Sequence, residues 1–452
     1  MNEPSASDVR KSALAIVRAL TGAGFQAFWA GGCVRDMLMG RTPKDFDIAT
    51  SASPDQVTTL FPRTLDIGKS FGVVQVIVDD RPFEVATFRR DVSYADGRHP
   101  EAVEFSGPEE DARRRDFTIN GLFYDPAADR VIDYVDGQKD IAARLIRAIG
   151  DPEERFGEDT LRMLRAVRLS SVLEFEIEEQ TARTIRKLAQ RMTSVSAERI
   201  QQELTRLLTE SPKAGQGLLK LRDLGLLKVL LPEVSAMEGQ EQPAEFHPEG
   251  DVFTHTVCML DRMSGATPVL AYSVLLHDVG KPPTARRVPG PGGAERIRFD
   301  GHAGTGAEAA ERILQRLRLP ARDIEAVVHC IRNHMRFMDV QDMRRSTLRR
   351  LVGAPTFEVE LELHRLDCAC SHGDLGNYEF LERFIEELRN EPALPDPWVT
   401  GHDLLALGLP EGPRIGHWHR KAYEAQLEGR FANREDLLKW VGDSLTEVDR
   451  QA

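Results

Sequence analysis

Apolar residues at Val9, Ala13, Ile16, Val17 and Leu20 recur at helical spacing, and Gly22 and Gly24 follow as a stop. The period then changes. A short apolar run over 25–30 reads as a strand, and 73–78 and 83–88 read as two more, joined in a hairpin by Asp79, Asp80, Arg81 and Pro82. Ser53 and Pro54 open a short helix between them that ends near Phe61. Residues 89–103 keep neither period, are rich in turn formers and charge, and read as a mobile loop. Beyond about residue 150 the pattern is helical, over 197–204, 218–231, 270–276 and 417–427. Polar or proline-rich stretches at 239–249 and 392–397 interrupt it as linkers. The expected architecture is an α+β head with a small mixed sheet, a largely all-α body and a helical C-terminal half. The expected boundaries are 1–150, 151–238, 239–390 and 391–452.

Composition narrows the class without choosing a function. A chain of 452 residues, 41% hydrophobic and 29% charged, has the make-up of a soluble globular protein with about three domains. No stretch resembles a membrane span or a signal peptide, so a cytoplasmic protein is expected. The five cysteines lack paired spacing and indicate neither a disulfide framework nor a zinc ribbon. The net charge of -13 argues against nucleic-acid binding over the whole surface. Residues 160–230, with 13 Lys and Arg against 8 Asp and Glu, are the one clearly positive segment.

The chemistry gathers at a few points. Gly31 and Gly32 follow the 25–30 strand, where a missing Cβ lets phosphate oxygens approach the backbone. Asp45 and Asp47, two residues apart in an extended segment, put both carboxylates on one face, a clamp for one or two Mg²⁺ ions. Glu84 on the hairpin is a candidate third carboxylate. Arg113, Arg114 and Arg115 precede a strand-like segment and read as the cationic side of a triphosphate or ribose site. Arg162, Arg165 and Arg168 form one helical stripe beside Asp159, and an aspartate next to an arginine offers the acceptor and donors that reading a base edge requires.

Further on, His277 and Asp278 end an apolar helix, with His255 one helix earlier and His302, His334 and Asp367 on later helical segments. Imidazole and carboxylate together suit a divalent transition metal. His402 and Asp403, which follow Gly401 and lack such a helix, read as a helix cap.

Gly-Gly-x-Val-Arg-Asp, Lys-Asp-x-Asp, Arg-Arg-Asp-Phe-Thr-Ile-Asn and Glu-Asp-x-x-Arg, in this order over residues 25 to about 235, resemble the bacterial class II tRNA nucleotidyltransferases. These are the CCA-adding enzymes and the related poly(A) polymerases. The resemblance implies a nucleotidyltransferase fold in the head and catalytic Mg²⁺ on Asp45 and Asp47. It implies triphosphate and ribose binding by Gly32, Arg35 and Arg115. Asp159 and Arg162 would template CTP and ATP, with Arg165 and Arg168 alongside, for addition to the 3′ end of tRNA. The later histidines resemble the HD phosphohydrolase domain. There His255, His277, Asp278 and Asp367 would bind a first divalent metal (Mn²⁺, Ni²⁺ or Mg²⁺), and His302 and His334 match the extra pair of two-metal members. Within the family, the 91–100 loop disfavours a CC-only enzyme, and the lack of a long basic extension disfavours a poly(A) polymerase. An enzyme adding only A stays open, as does an HD fold kept for RNA binding. A signalling-nucleotide synthetase and hydrolase would carry its HD domain first. The sequence leaves the oligomeric state open.

Overall fold

The computed structural model describes residues 6–66, 68–91, 103–243, 245, 247–289, 295–389 and 391–451. They divide into two units, one of residues 1–235 with 316–319 and one of 236–315 with 320–452.

The first unit is built on a seven-stranded mixed sheet. Its strands run in the order Thr64–Leu65, Val73–Val78, Arg81–Thr87, Asp47–Thr50, Ala27–Ala30, Leu122–Asp125 and Arg130–Asp133. Only Asp47–Thr50 and Arg81–Thr87 pair in parallel. Strand alternation decides what each face carries. Trp29, Ile48 and Val85 pack with Ala13, Ile16, Val17 and Leu20 of helix Ala6–Gly22 and with Val57 of helix Pro54–Leu60. Ala30, Ala49, Phe88 and Phe123 form a second cluster, from the opposite side of the alternation. Asp47 is in phase with Ala49, so its carboxylate leaves the face that helix Ala6–Gly22 does not cover. The expected capping of helix Pro54–Leu60 by Ser53 is present as a capping box with Gln56.

The segment 89–103 is framed by strands Arg89–Asp91 and Val103–Phe105, which pair antiparallel, so its ends are more ordered than a loop. The expected loop itself, 92–102, lies outside the described residues. After the three arginines a short 3₁₀ turn, Thr118–Asn120, leads into the strand-like segment, strand Leu122–Asp125. Helices follow, notably Arg162–Leu173, Ala197–Glu210 and Ala214–Asp223. The apparently continuous pattern 218–231 is broken at Gly225, whose φ of 74° ends one helix and starts Leu226–Leu230.

Among the described residues the second unit is helical apart from one hairpin, Arg286–Pro289 with Glu295–Arg298, that the periodicity did not reveal. Helices Val252–Arg262 and Phe357–Cys370 are joined by a disulfide between Cys258 and Cys370. This corrects the reading of the cysteines: a single bond between residues 112 apart leaves no spacing signature. Near the C-terminus, Trp418, Ala422, Leu437 and Val441 form a separate core. Asp403 completes a capping box with Thr400, the cap expected of that His-Asp pair.

Candidate functional sites

Gly31 turns the chain out of strand Ala27–Ala30 with φ 73°. A Cβ there would come within 3.0 Å of an Arg115 guanidinium nitrogen, so glycine lets that arginine lie against the turn. Arg115 is aimed by Asp111, whose Oδ2 accepts from its Nη2 at 3.1 Å, and it lies over the Phe123 ring at 5.1 Å. Asp111 is 1% exposed. Burial pushes its carboxyl up, but Arg115 and Arg114 outweigh this and hold it below the usual range. Arg35 donates to Asp36 at 2.7 Å and to Asn120 Oδ1 at 2.8 Å. Of the three consecutive arginines, Arg114 and Arg115 line the cavity, whereas Arg113 is exposed and pairs with Glu109 at 2.6 Å.

Asp45, Asp47, Gly31, Gly32, Arg35 and Arg115 share a cavity of about 1020 Å³ with Asp159, Arg162, Arg165, Arg168 and Arg199. Burial, then the nearby carboxylates of Asp45 and Glu84, push Asp47 up to about 6. Glu84 stands beside it because Val85 pairs with Ile48 in the parallel register. Crowded carboxylates of like charge are the chemistry that a divalent cation relieves, and Asp45 and Asp47 fit that role.

The arginine stripe divides by depth. Arg162 donates to Glu158 Oε2 at 2.6 Å and to the Arg114 carbonyl at 3.2 Å. Arg165 clasps Asp116 Oδ2 through two nitrogens at 3.0 and 2.8 Å. Burial raises the Asp116 carboxyl, but Arg165 more than offsets it and the group settles at about 2. Arg168 is 4% exposed and paired with Glu203. Its charge is therefore neutralised at the cavity wall, and it supports Arg165, which also reaches Glu203 at 3.3 Å. Asp159 is held by both terminal nitrogens of Arg199. Sequence reasoning passed over Asp111, Asp116, Asn120, Arg199 and Glu203. The last two sit in a stretch read only as helix, where their spacing of four was the available signal.

The second unit carries the histidine site. His277 Nδ1 donates to the Val274 carbonyl at 2.9 Å, His302 Nδ1 to Phe299 at 2.9 Å and His334 Nδ1 to Ile331 at 2.7 Å. His255 Nδ1 meets Glu249 at 2.6 Å. Each contact places the proton on Nδ1 and leaves Nε2 as the ligand atom. The buried Nε2 atoms of His255 and His277 each lie 3.1 Å from a carboxylate oxygen, of Asp367 and Asp278 respectively. Those of His302 and His334 face each other at 3.3 Å. Lone pairs so disposed fit a cation. Among the described residues three groups of ligand atoms each lie within 4.8 Å of one another: His247, Glu249 and His255; His255, His277 and Asp367; and Asp278, His302 and His334.

Burial pushes His255 down, but its hydrogen bonds to Asp367 and Glu249 outweigh this and raise it to about 9, so a cation at its Nε2 would take the place of a proton; burial pushes His334 down to about 4. Asp278 is 2% exposed and meets Lys281 at 2.6 Å. Gly280 permits the close packing, since a Cβ there would sit 2.2 Å from the His302 carbonyl oxygen. His247 and Glu249, inside the segment read as a linker, are instead tied to His255 through one Glu249 oxygen.

A mixed sheet with paired carboxylates beside a glycine turn and an arginine-lined cavity defines the first unit as a nucleotidyltransferase head. The comparisons with known proteins agree. Residues 27–147 match the family model of the poly A polymerase head domain, 174–237 that of a probable RNA and SrmB-binding site of polymerase A, and 252–367 that of the HD domain. The CCA-adding enzyme of Bacillus subtilis (strain 168) is 32% identical over 444 residues, which are 95% of this chain and 98% of that protein. That of Bacillus licheniformis is 41% identical over 236 residues, 52% of this chain and little more than half, 58%, of that protein's length. A crystal structure of the Bacillus stearothermophilus CCA-adding enzyme in complex with CTP is similar with a TM-score of 0.72 and 26% identity, over 98% of this chain and 99% of that one. The chain belongs to the CCA-adding enzyme family. No described helix is long and apolar enough to cross a membrane.

Proposed function

We propose that the chain adds C, C and A, from CTP and ATP, to the 3′ end of tRNA without a nucleic-acid template, in the cytoplasm. The observation that carries this reading is the single cavity shared by Asp45 and Asp47, Arg35 and Arg115, and Asp159 and Arg162. Asp45 and Asp47 would hold Mg²⁺, which supplies Lewis-acid activation of the terminal ribose hydroxyl and charge stabilisation on the phosphates. Arg35 and Arg115, aimed by Asp36, Asn120 and Asp111, hold the triphosphate for in-line attack on the α-phosphorus and release of pyrophosphate. Gly31 and Gly32 leave room for its oxygens. Cytosine and adenine both present an amino donor next to a ring-nitrogen acceptor. Uracil and guanine present the reverse. An acceptor-only carboxylate at Asp159 with a donor-only guanidinium at Arg162 therefore suits the first pair and opposes the second. Arg165 and Arg168, tied to Asp116 and Glu203, hold the wall behind.

The HD site is proposed as a separate metal-dependent phosphohydrolase. His255, His277, Asp278 and Asp367 would hold one divalent ion, and His302 and His334 a second with Asp278. The ions would supply an activated water for attack on phosphate esters, and Mn²⁺, Ni²⁺ and Mg²⁺ are the candidates.

Transcripts of tRNA ending before CCA, after C and after CC, each given one nucleotide at a time, test the main activity. The expected additions are C, C and A in turn. Addition of A alone, to the CC-ending transcript only, would replace this reading with an A-adding enzyme.

A further inference from the structure

Asp159 is a short side chain at a break between two helices. It follows helix Pro152–Glu158 with extended backbone, φ -147° and ψ 103°, three residues before helix Arg162–Leu173 begins. Nothing in that local chain fixes its carboxylate beyond the Leu161 N–H, which donates to Oδ1 at 3.1 Å. The rest comes from 40 residues away. Arg199 Nη1 donates to Oδ1 at 3.1 Å and Nη2 to Oδ2 at 2.7 Å, the two-pronged geometry that fixes a carboxylate plane as well as its position. The pair is enclosed, with side chains 21% and 17% exposed.

Arg199 is itself anchored. It lies in the first turn of helix Ala197–Glu210, and one turn further on Glu203, 6% exposed, pairs with Arg165 and Arg168 of helix Arg162–Leu173. The helix that carries Arg162 and the helix that holds Asp159 are therefore joined through buried charge. Counting acceptors, Oδ1 serves Arg199 and Leu161, and Oδ2 serves Arg199 once. A carboxylate oxygen accepts about two hydrogen bonds, so one acceptor position remains, on Oδ2.

We propose that Arg199 is a positioning residue for base selection. It holds the Asp159 carboxylate so that a single acceptor direction meets the incoming base, and so that the carboxylate cannot swing away from a base that presents an oxygen there. This rests on the reading of Asp159 as a base-reading group, and it adds the device that makes that group discriminate. A fixed carboxylate opposes the O4 of uracil or the O6 of guanine. A free one rotates aside, lets water bridge, and the wrong base is no longer penalised.

The test is a double-mutant cycle on the full-length protein. The wild type, Arg199→Ala, Asp159→Ala and the double variant are compared for kcat/KM with CTP and with UTP on tRNA ending before CCA. Arg199→Ala is expected to lower the CTP-to-UTP ratio on the order of 10- to 100-fold, the scale of a reacting or reading group misplaced by about 1 Å. The double variant is expected to discriminate no worse than Asp159→Ala alone. Arg199→Lys, which keeps the charge without the fork, should restore the ratio only partly. An unchanged ratio with a uniform fall in rate for both nucleotides would overturn the proposal and leave Arg199 a support for the helix. A further loss of discrimination in the double variant would also overturn it, by showing that Arg199 acts on the base directly. Thermal melts of the four proteins separate both results from misfolding. A wild type that adds neither C nor A would defeat the underlying reading, a different outcome from either.

Discussion

Asp47 shows what the proposed metal role asks of a single position. Its carboxyl sits at about 6 because partial burial and two neighbouring carboxylates oppose its charge, a crowding that a cation held there would relieve. Asp47→Asn is therefore expected to reduce nucleotide addition roughly 1000-fold, the rate equivalent of several kcal/mol of charge stabilisation. Its melting temperature without metal should stay at or above that of the wild type. Addition assays paired with melts check this, and near-normal addition would remove Asp47 from the metal site. Residues of this kind were legible in the sequence because a short motif sets them two apart where a strand begins at Asp47. Asp116 was not assigned because its partner Arg165, 49 residues away, can be matched to it only once the backbone is folded, whereas for Asp111 the three- and four-residue spacing to Arg114 and Arg115 was the available signal.

Among the elements, the buried charges that join helix Arg162–Leu173 to its surroundings set a measurable acid limit. Asp116 has a folded value of about 2 against an ordinary 3.8, chiefly because Arg165 outweighs the burial that would raise it. A depressed carboxyl contributes stability that is full above its unfolded value and disappears as pH falls through the folded one. The contribution, about 2 kcal/mol from the size of the shift, should be present above pH 4 and lost between about pH 4 and pH 2. Asp116→Asn should remove that part of the acid dependence in denaturant titrations. It should also cost about 3 kcal/mol at neutral pH by leaving Arg165 without its main partner. An unaltered acid profile would show that the pair does not hold the helix. Periodicity revealed these helices, because alternating burial is written locally. It missed the break at Gly225, where the apolar spacing runs on and only a positive φ reverses the chain. It also read His247 and Glu249 as linker, because their role depends on contact with His255, which sequence spacing alone does not show.

At the scale of the whole molecule, the two sites lie in separate units and share no residue. Replacing His277 and Asp278 together by Ala removes one ligand from the group of His255, His277 and Asp367 and one from the group of Asp278, His302 and His334. Metal retained after dialysis is expected to fall by at least ~10-fold, as loss of ligands implies. Hydrolysis of 2′,3′-cyclic and terminal RNA phosphates should vanish while addition to tRNA continues. Loss of addition in a well-folded variant would contradict the independence of the sites. The family motifs pointed to two sites far apart along the chain, whereas the disulfide between the helices of His255 and Asp367 had no trace in cysteine spacing. The central claim, that protein side chains alone dictate the added sequence, is tested most directly by one measurement. A tRNA transcript lacking its last three nucleotides is incubated with the wild-type protein, Mg²⁺ and all four nucleoside triphosphates in equal amounts, and the product 3′ ends are sequenced. The account predicts C, C and A followed by arrest. A run of A, a mixed sequence or an unextended end would contradict it.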